Sequence, residues 1–300
     1  MSSVGGGPEG VGPYTFDFFA GSGTNLKEIG GFYEKSEGST LFTKWELKAS
    51  CYGKFAFFVG EGQNRFQKGR VKALRNDWIA KKLVELGQDL FQAPKKFMET
   101  TKVPEADALL NDIENYPHFF VLACVMDRQL RAERAWLIPY KISLKIGSTS
   151  FNAFSQLSQE EIRDHMSRPE SLHRFVEIMS KYFFLGMGIG RIRDQYQGDA
   201  SKIWAGKPSS AELVYRFLEF EGVGPKIATM AANILARDYK VPLSDYFSID
   251  ISADVHIRRV FARLGICPED ASVEQVIFKA RSLYPEFPGL MDLPCWEIGR

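Results

Sequence analysis

No apolar run in this sequence is long enough to cross a bilayer. The longest, residues 119–126, falls far short of the ~20 residues a spanning helix needs, and the N-terminus has no basic stretch leading into an apolar one. No membrane association is therefore expected, and the protein reads as intracellular: in the cytoplasm or nucleoid, or in the nucleus of a eukaryote. Excess charge is also missing, since 38 Lys and Arg stand against 37 Asp and Glu, a net charge of +1. That balance argues against a protein that coats nucleic acid by electrostatics alone and leaves room for a local basic surface. Cysteine is sparse. The 4 cysteines, Cys51, Cys124, Cys267 and Cys295, show no Cys-x-x-Cys spacing, which argues against a zinc or iron–sulfur cage and against a small secreted disulfide scaffold. They read as reduced thiols, and no metal ligands are expected.

What is present suffices for one large or two medium domains: 300 residues, 45% of them hydrophobic. Residues 1–13 are rich in Gly, Ser and Pro and are expected to be disordered, with 1–29 disordered or loosely ordered. Inside that stretch, Phe16-Asp17-Phe18-Phe19-Ala20-Gly21-Ser22-Gly23-Thr24 bears a superficial likeness to the cofactor loop of DNA methyltransferases. The series of βα units and the Asp-Pro-Pro-Tyr loop such an enzyme needs are absent, so it reads as an ordinary glycine turn. Residues 30–100 form a small α+β extension whose role the sequence does not state. Residues 40–48 and 55–60 read as a β-hairpin. A helix over residues 64–97 follows from the spacing of Val71, Leu74, Trp78, Ile79, Leu83 and Leu86. Its basic start, Arg65, Lys68, Arg70, Lys72 and Arg75, is either a solvated face or a nucleic-acid contact.

Residues 101–300 read as all helical. Capping boxes announce three helix starts, at Ser158 with Glu161, Ser209 with Glu212, and Ser272 with Gln275. A further pattern, Phe175, Ile178, Met179, Tyr182 and Phe183, is expected in the core. The chain is organised around residues 217–265. There Glu221-Gly222-Val223-Gly224-Pro225-Lys226 lies between two apolar helical runs, and its glycines allow positive φ and close approach to a ligand. Pro225 suits a first helical position. The free N–H groups and positive dipole end of that helix suit a phosphate. Further on stands Asp254-Val255-His256-Ile257-Arg258-Arg259-Val260, continuing to Arg263-Leu264-Gly265.

Together these two motifs resemble the helix-hairpin-helix DNA glycosylases, the superfamily of endonuclease III and 8-oxoguanine DNA glycosylase. In that family a Pro-Gly-Val-Gly-x-Lys hairpin precedes Asp-x-His-[Val/Ile]-x-Arg-Val-x-x-Arg. The resemblance covers roughly residues 105–300, and it departs from the pattern in two places: Glu221 stands for the usual Pro, and the gap from Lys226 to Asp254 is about ten residues longer. It implies a mainly α glycosylase fold carrying the small N-terminal α+β extension. It also implies a monomeric base-excision repair enzyme acting on a damaged base flipped out of double-stranded DNA. Many relatives carry a four-cysteine [4Fe–4S] loop just beyond a segment similar to Trp296–Arg300. This chain stops there, so either the protein lacks the cluster or the chain has been shortened. A monovalent cation at the hairpin is the one cofactor the resemblance allows.

The roles follow from the chemistry of the N-glycosidic bond. Its cleavage builds positive charge on the sugar, which a nearby carboxylate stabilises; Asp254 is the candidate, although an Asp before a helix is also an ordinary N-cap. Lys226 is the candidate nucleophile, attacking C1′ to form a Schiff base and permitting β-elimination, which makes the enzyme a bifunctional glycosylase and AP lyase. An oxidised pyrimidine or 8-oxoguanine is the expected target. The backbone of Gly222, Val223 and Gly224 is expected to clamp a phosphate. The segment 118–136 resembles the family's helix that bears a Gln at the end of an apolar run, which makes Gln129 the plug for the emptied stack, and Arg128 or Arg131 a phosphate contact. His256 is expected to hold the Asp254 turn by hydrogen bonds, and Asp250 is a rival carboxylate. The alternatives are a non-catalytic module using the hairpin as a phosphate clamp, and a monofunctional mismatch or uracil glycosylase.

Overall fold

In the computed structural model, backbone and side chains are described for residues 78–184 and 188–299, and the backbone alone for residues 18–21, 27–30, 41–49, 53–61 and 68–77. The expected disorder of residues 1–13, the basic run from Arg65 to Arg75 as side chains, and Cys51 lie outside these. Strands β1 (Phe18–Gly21), β2 (Lys27–Gly30), β3 (Leu41–Ala49) and β4 (Gly53–Glu61) pair antiparallel in the order β2-β1-β4-β3. The β3–β4 pair follows the expected hairpin. Its register sets Thr43 opposite Val59, Trp45 opposite Phe57 and Leu47 opposite Phe55.

The rest is helical: α1 (Lys68–Gln92), α2 (Pro104–Asn111), α3 (Pro117–Met126), α4 (Ala132–Ala135), α5 (Ile138–Ile146), α6 (Phe151–Ser155), α7 (Gln159–Ser167), α8 (Val176–Phe184), α9 (Ile189–Gln195), α10 (Ser210–Leu218), α11 (Pro225–Arg237), α12 (Val255–Arg263), α13 (Val273–Leu283) and α14 (Asp292–Gly299). Among the described residues no helix is long and apolar enough to cross a membrane. The chain divides into two compact units. The smaller comprises the described parts of Met1–Leu83, Asp254–Ala271 and Leu293–Arg300; the larger comprises Val84–Ala253 and Ser272–Asp292.

The larger unit is built on α3. Pro117 opens that helix, and every residue from Pro117 to Met126 is buried, as a helix apolar on all sides must be. The Phe120 ring meets those of Trp136, Phe217 and Tyr239 edge-on at 5.7, 6.4 and 5.3 Å, a preferred aromatic geometry. Tyr239 donates to the Leu110 carbonyl at 2.6 Å, and burial pushes its phenol pKa well up. His118 donates through Nε2 to the Thr149 carbonyl at 3.0 Å, and burial lowers its pKa to about 4 despite that bond.

Three expectations about local structure need adjustment. The boxes at Ser158 and Ser272 close in both directions, but at Ser209 only half forms: its hydroxyl accepts from the Glu212 amide, while the Glu212 carboxylate turns to Arg216. An i,i+4 ion pair has displaced the reciprocal cap. Phe175 and Ile178, expected in the core, are 41% and 43% exposed, whereas Met179 and Phe183 are buried. Helix α8 begins at Val176, so Phe175 precedes it and Ile178 sits at the margin of the buried stripe. Finally, the apolar segment expected to carry Gln129 at its end stops as a helix at Met126.

Candidate functional site

The turn between α10 and α11 belongs wholly to the larger unit. Leu213 and Phe217 anchor α10 in the core, and Ile227, Ala228, Ala231, Ala232 and Leu235 anchor α11, the small alanines permitting close approach of the two helices. Phe220 is fully buried beneath the turn, stacked with Tyr196 at 6.5 Å. Val223 is also buried, and its amide bonds the Phe220 carbonyl at 2.9 Å, so that amide is not free for the expected phosphate. Gly222 has φ +90, a conformation that opposes any side chain. Gly224 does not share it: its φ of −93 and ψ of 176 make it an extended N-cap, and a Cβ there would meet nothing within 4 Å. Gly222 is thus required by conformation, and Gly224 keeps space open.

Pro225 then starts α11. The Ile227 and Ala228 amides both turn to the Gly224 carbonyl at 3.0 Å, whereas among the described residues the amides of Glu221, Gly222, Gly224 and Lys226 have no hydrogen-bond acceptor. Unpaired N–H groups at a helix N-terminus are donors suited to an anion. Lys226, in the first turn, has an exposed side chain with no ion-pair or hydrogen-bond partner among the described residues. A cation in the first turn opposes the helix dipole, so its helix does not favour it there.

Beside the turn runs the loop that leaves α3. The Asp127 amide bonds the Cys124 carbonyl at 3.1 Å and the Arg128 amide that of Met126 at 2.8 Å, ending the helix. Gln129 follows, exposed and at φ +51, a strained value of about 1–3 kcal/mol for a residue with a Cβ. Arg128 is half-buried, its guanidinium 5.1 Å from the centre of the Tyr182 ring. A Cβ at position 222 would stand 2.8 Å from Arg128 Nη1 and 2.9 Å from the Tyr182 ring, so the expected phosphate contact and the hairpin glycine are neighbours. Burial raises the Asp127 pKa, opposed by the Lys226 charge and by the Trp136 indole. The indole N–H approaches that carboxylate without closing a hydrogen bond of normal geometry.

The lengthened connection, residues 238–253, is firmly tied. Ile249 and Ile251 are buried, and the Ile249 carbonyl accepts from the Gly289 amide at 2.7 Å. The Asp245 carboxylate accepts from the Ser210 hydroxyl, and the Ser248 amide reaches the same hydroxyl at 3.0 Å. Asp250 is gripped at both oxygens by Arg281, at 2.7 Å each. A carboxylate held bidentately has its lone pairs directed at its partner, which removes Asp250 as a rival catalytic group.

In the smaller unit, Asp254 is the N-cap of α12. Its Oδ1 accepts from the His256 and Ile257 amides at 2.8 and 3.0 Å, while Oδ2 has no partner among the described residues. His256 meets this turn with its backbone amide, while its ring donates through Nδ1 to the Gly299 carbonyl at 2.8 Å. Ile257, Val260 and Phe261 bury the inner face of α12, leaving Val255, Arg258 and Arg259 exposed.

Among the described residues no group of His, Cys, Asp and Glu is arranged to hold a metal ion. Cys124 and Cys295 are buried and Cys267 half-buried, all without disulfides. The carbonyls of Glu221, Gly222 and Val223 accept no hydrogen bond among the described residues.

Solved DNA glycosylase structures resemble this chain. One is a trapped covalent intermediate of endonuclease III with DNA, 17% identical over 67% of this chain and 85% of that one, with a TM-score of 0.42. A non-covalent endonuclease III–DNA complex is 17% identical over 74% and 83%, with a TM-score of 0.44. The 8-oxoguanine glycosylase/lyase of Clostridium acetobutylicum, bound to DNA with cytosine opposite 8-oxoguanine, is 13% identical over 88% and 85%, with a TM-score of 0.45. No protein-family model and no curated protein matches the chain.

Sequence reasoning missed His173, which lies 45 residues from Arg128, whose carbonyl it meets at 3.0 Å, and took Tyr182 for core, where it is half-buried against Arg128.

Proposed function

We propose that this chain is a helix-hairpin-helix DNA glycosylase with AP lyase activity, acting on an oxidised base in double-stranded DNA. The observation that carries the reading is the turn itself: unpaired amides beside an exposed lysine with no ion-pair or hydrogen-bond partner among the described residues, whose charge acts on the buried Asp127 carboxyl. In this reading the unpaired amides take a backbone phosphate, and the carbonyls of Glu221, Gly222 and Val223 would hold a monovalent cation that adds positive charge there. Gln129, exposed on a strained backbone, enters the stack where the damaged nucleotide has left it.

The nucleophile is the neutral amine of Lys226. Its Nζ then forms a bond to C1′ as the C1′–N bond breaks, the electron pair and a proton leaving with the base. Opening of the sugar ring gives the Schiff base. Loss of a C2′ proton then expels the 3′ phosphate. Asp254 has the free oxygen needed to stabilise positive charge developing on the sugar, its other oxygen being used in the cap. That cap also supports a second reading, a DNA-binding module in which Asp254 only starts a helix.

Borohydride trapping on duplexes carrying thymine glycol, 8-oxoguanine, uracil or an abasic site separates these readings. A reduced adduct on one damaged base, absent in Lys226→Gln, is expected. Duplex binding with neither adduct nor base release leaves only the clamp, and base release without an adduct makes the enzyme monofunctional.

A further inference from the structure

Next to the glycine turn, a buried histidine joins two surface segments. His173 is 1% exposed. Its Nδ1 accepts from the Phe175 amide at 3.0 Å, so Nε2 carries the proton and donates to the Arg128 carbonyl, also at 3.0 Å. The turn ending at Phe175 is thereby fastened to the loop of residues 127–129. Arg174 adjoins His173 in the chain and Arg134 stands in α4, which directly follows the loop that carries Arg128; both are exposed. Burial is the main cause of the lowered His173 pKa, the Arg128 carbonyl opposes it, and the charges of Arg174, Arg128 and Arg134 add to it. The Arg174 guanidinium rests 4.8 Å from the centre of the Phe175 ring, and that of Arg128 on Tyr182, so both side chains are pre-positioned by stacking.

None of these three arginines has an ion-pair partner among the described residues, in contrast to Arg163, Arg191, Arg216, Arg237 and Arg281. The carboxylate that feels Arg134, Glu170, is already paired with Lys141. Grouped like charges repel one another when nothing compensates them, and planar guanidiniums suit phosphate oxygens. We propose that Arg128, Arg134 and Arg174, gathered round His173 beside the Gly222 turn, form a ridge that binds further backbone phosphates of the same duplex, extending the hairpin clamp. The inference rests on the glycosylase reading and adds to it a second electrostatic footing.

The test is binding of a labelled undamaged duplex over a salt series. It compares the full chain with R134A/R174A and with R163A/R168A, which removes equal charge from residues paired with Glu177 and Asp164. Exposed positions leave the fold intact, which an unchanged Tm checks. Losing two phosphate contacts should lower the slope of log K against log salt by about 1.8 and weaken binding roughly ten-fold, while the control pair shifts neither. If R134A/R174A behaves like R163A/R168A, the ridge is wrong and the hairpin reading stands. If the unaltered chain binds no duplex, both fall.

Discussion

The turn before α11 and the connection after it start from similar material and end in opposite states. Residues 238–253 are long, yet Asp245, Asp250 and the Ser248 and Ser252 amides find partners, in the Ser210 hydroxyl, the Arg281 guanidinium and the Asp292 carboxylate, while the buried Ser252 hydroxyl has none among the described residues. Residues 221–226 are short and leave amides and carbonyls unpaired beside an exposed ammonium. Polar groups that folding does not pair stay open to solvent or to a ligand. Asp254 stands between the two states, with one oxygen committed to a cap and one free.

The contrast can be broken by substitution. The largest effect is expected at Lys226→Gln: imine trapping falls below detection while stability moves within about 0.5 kcal/mol, as for an exposed side chain. Asp254→Asn keeps a good N-cap residue and should slow base release by about 10²–10³, the usual loss for one electrostatic stabiliser; an unchanged single-turnover rate would reduce Asp254 to its cap. The tied groups should answer through stability. His118 is held neutral, with a folded pKa of about 4 against 6.5 unfolded. Its contribution is therefore complete above pH 6.5 and declines as pH falls toward 4, by roughly 3 kcal/mol in total. Denaturant titrations of His118→Gln should lose that portion of the pH dependence. Gly222→Ala, forced to φ +90 against Arg128 and Tyr182, should cost about 1–3 kcal/mol and weaken duplex binding with it. Smallest, Arg281→Ala should cost about 1–2 kcal/mol for the exposed half of a charge-assisted pair and leave trapping at low temperature intact. Loss of trapping from a folded R281A protein would mean that Asp250 does more than secure the connection.

Much of the fold was legible. The apolar run 119–126 predicts a buried helix, Pro225 a helix start, and the caps at Ser158 and Ser272 form as spaced. Local chemistry decides such features, since an N-cap or a Pro at a first position acts within one turn of chain. Errors arose where another group competes for a side chain: Arg216, one turn on, drew Glu212 out of its capping box, and Arg281, 31 residues from Asp250, took both oxygens of that carboxylate.

By itself the sequence determined the glycine turn, the lysine one residue into its helix, and the aspartate that caps another. Tertiary structure alone decided that Gly222 and not Gly224 needs positive φ, and that Asp250 is bound to Arg281. It alone set Arg128 against the turn through Tyr182 and His173. The reason is range: backbone preferences act between neighbours along the chain, whereas which polar groups are paired and which are left open depends on contacts between residues tens of positions apart.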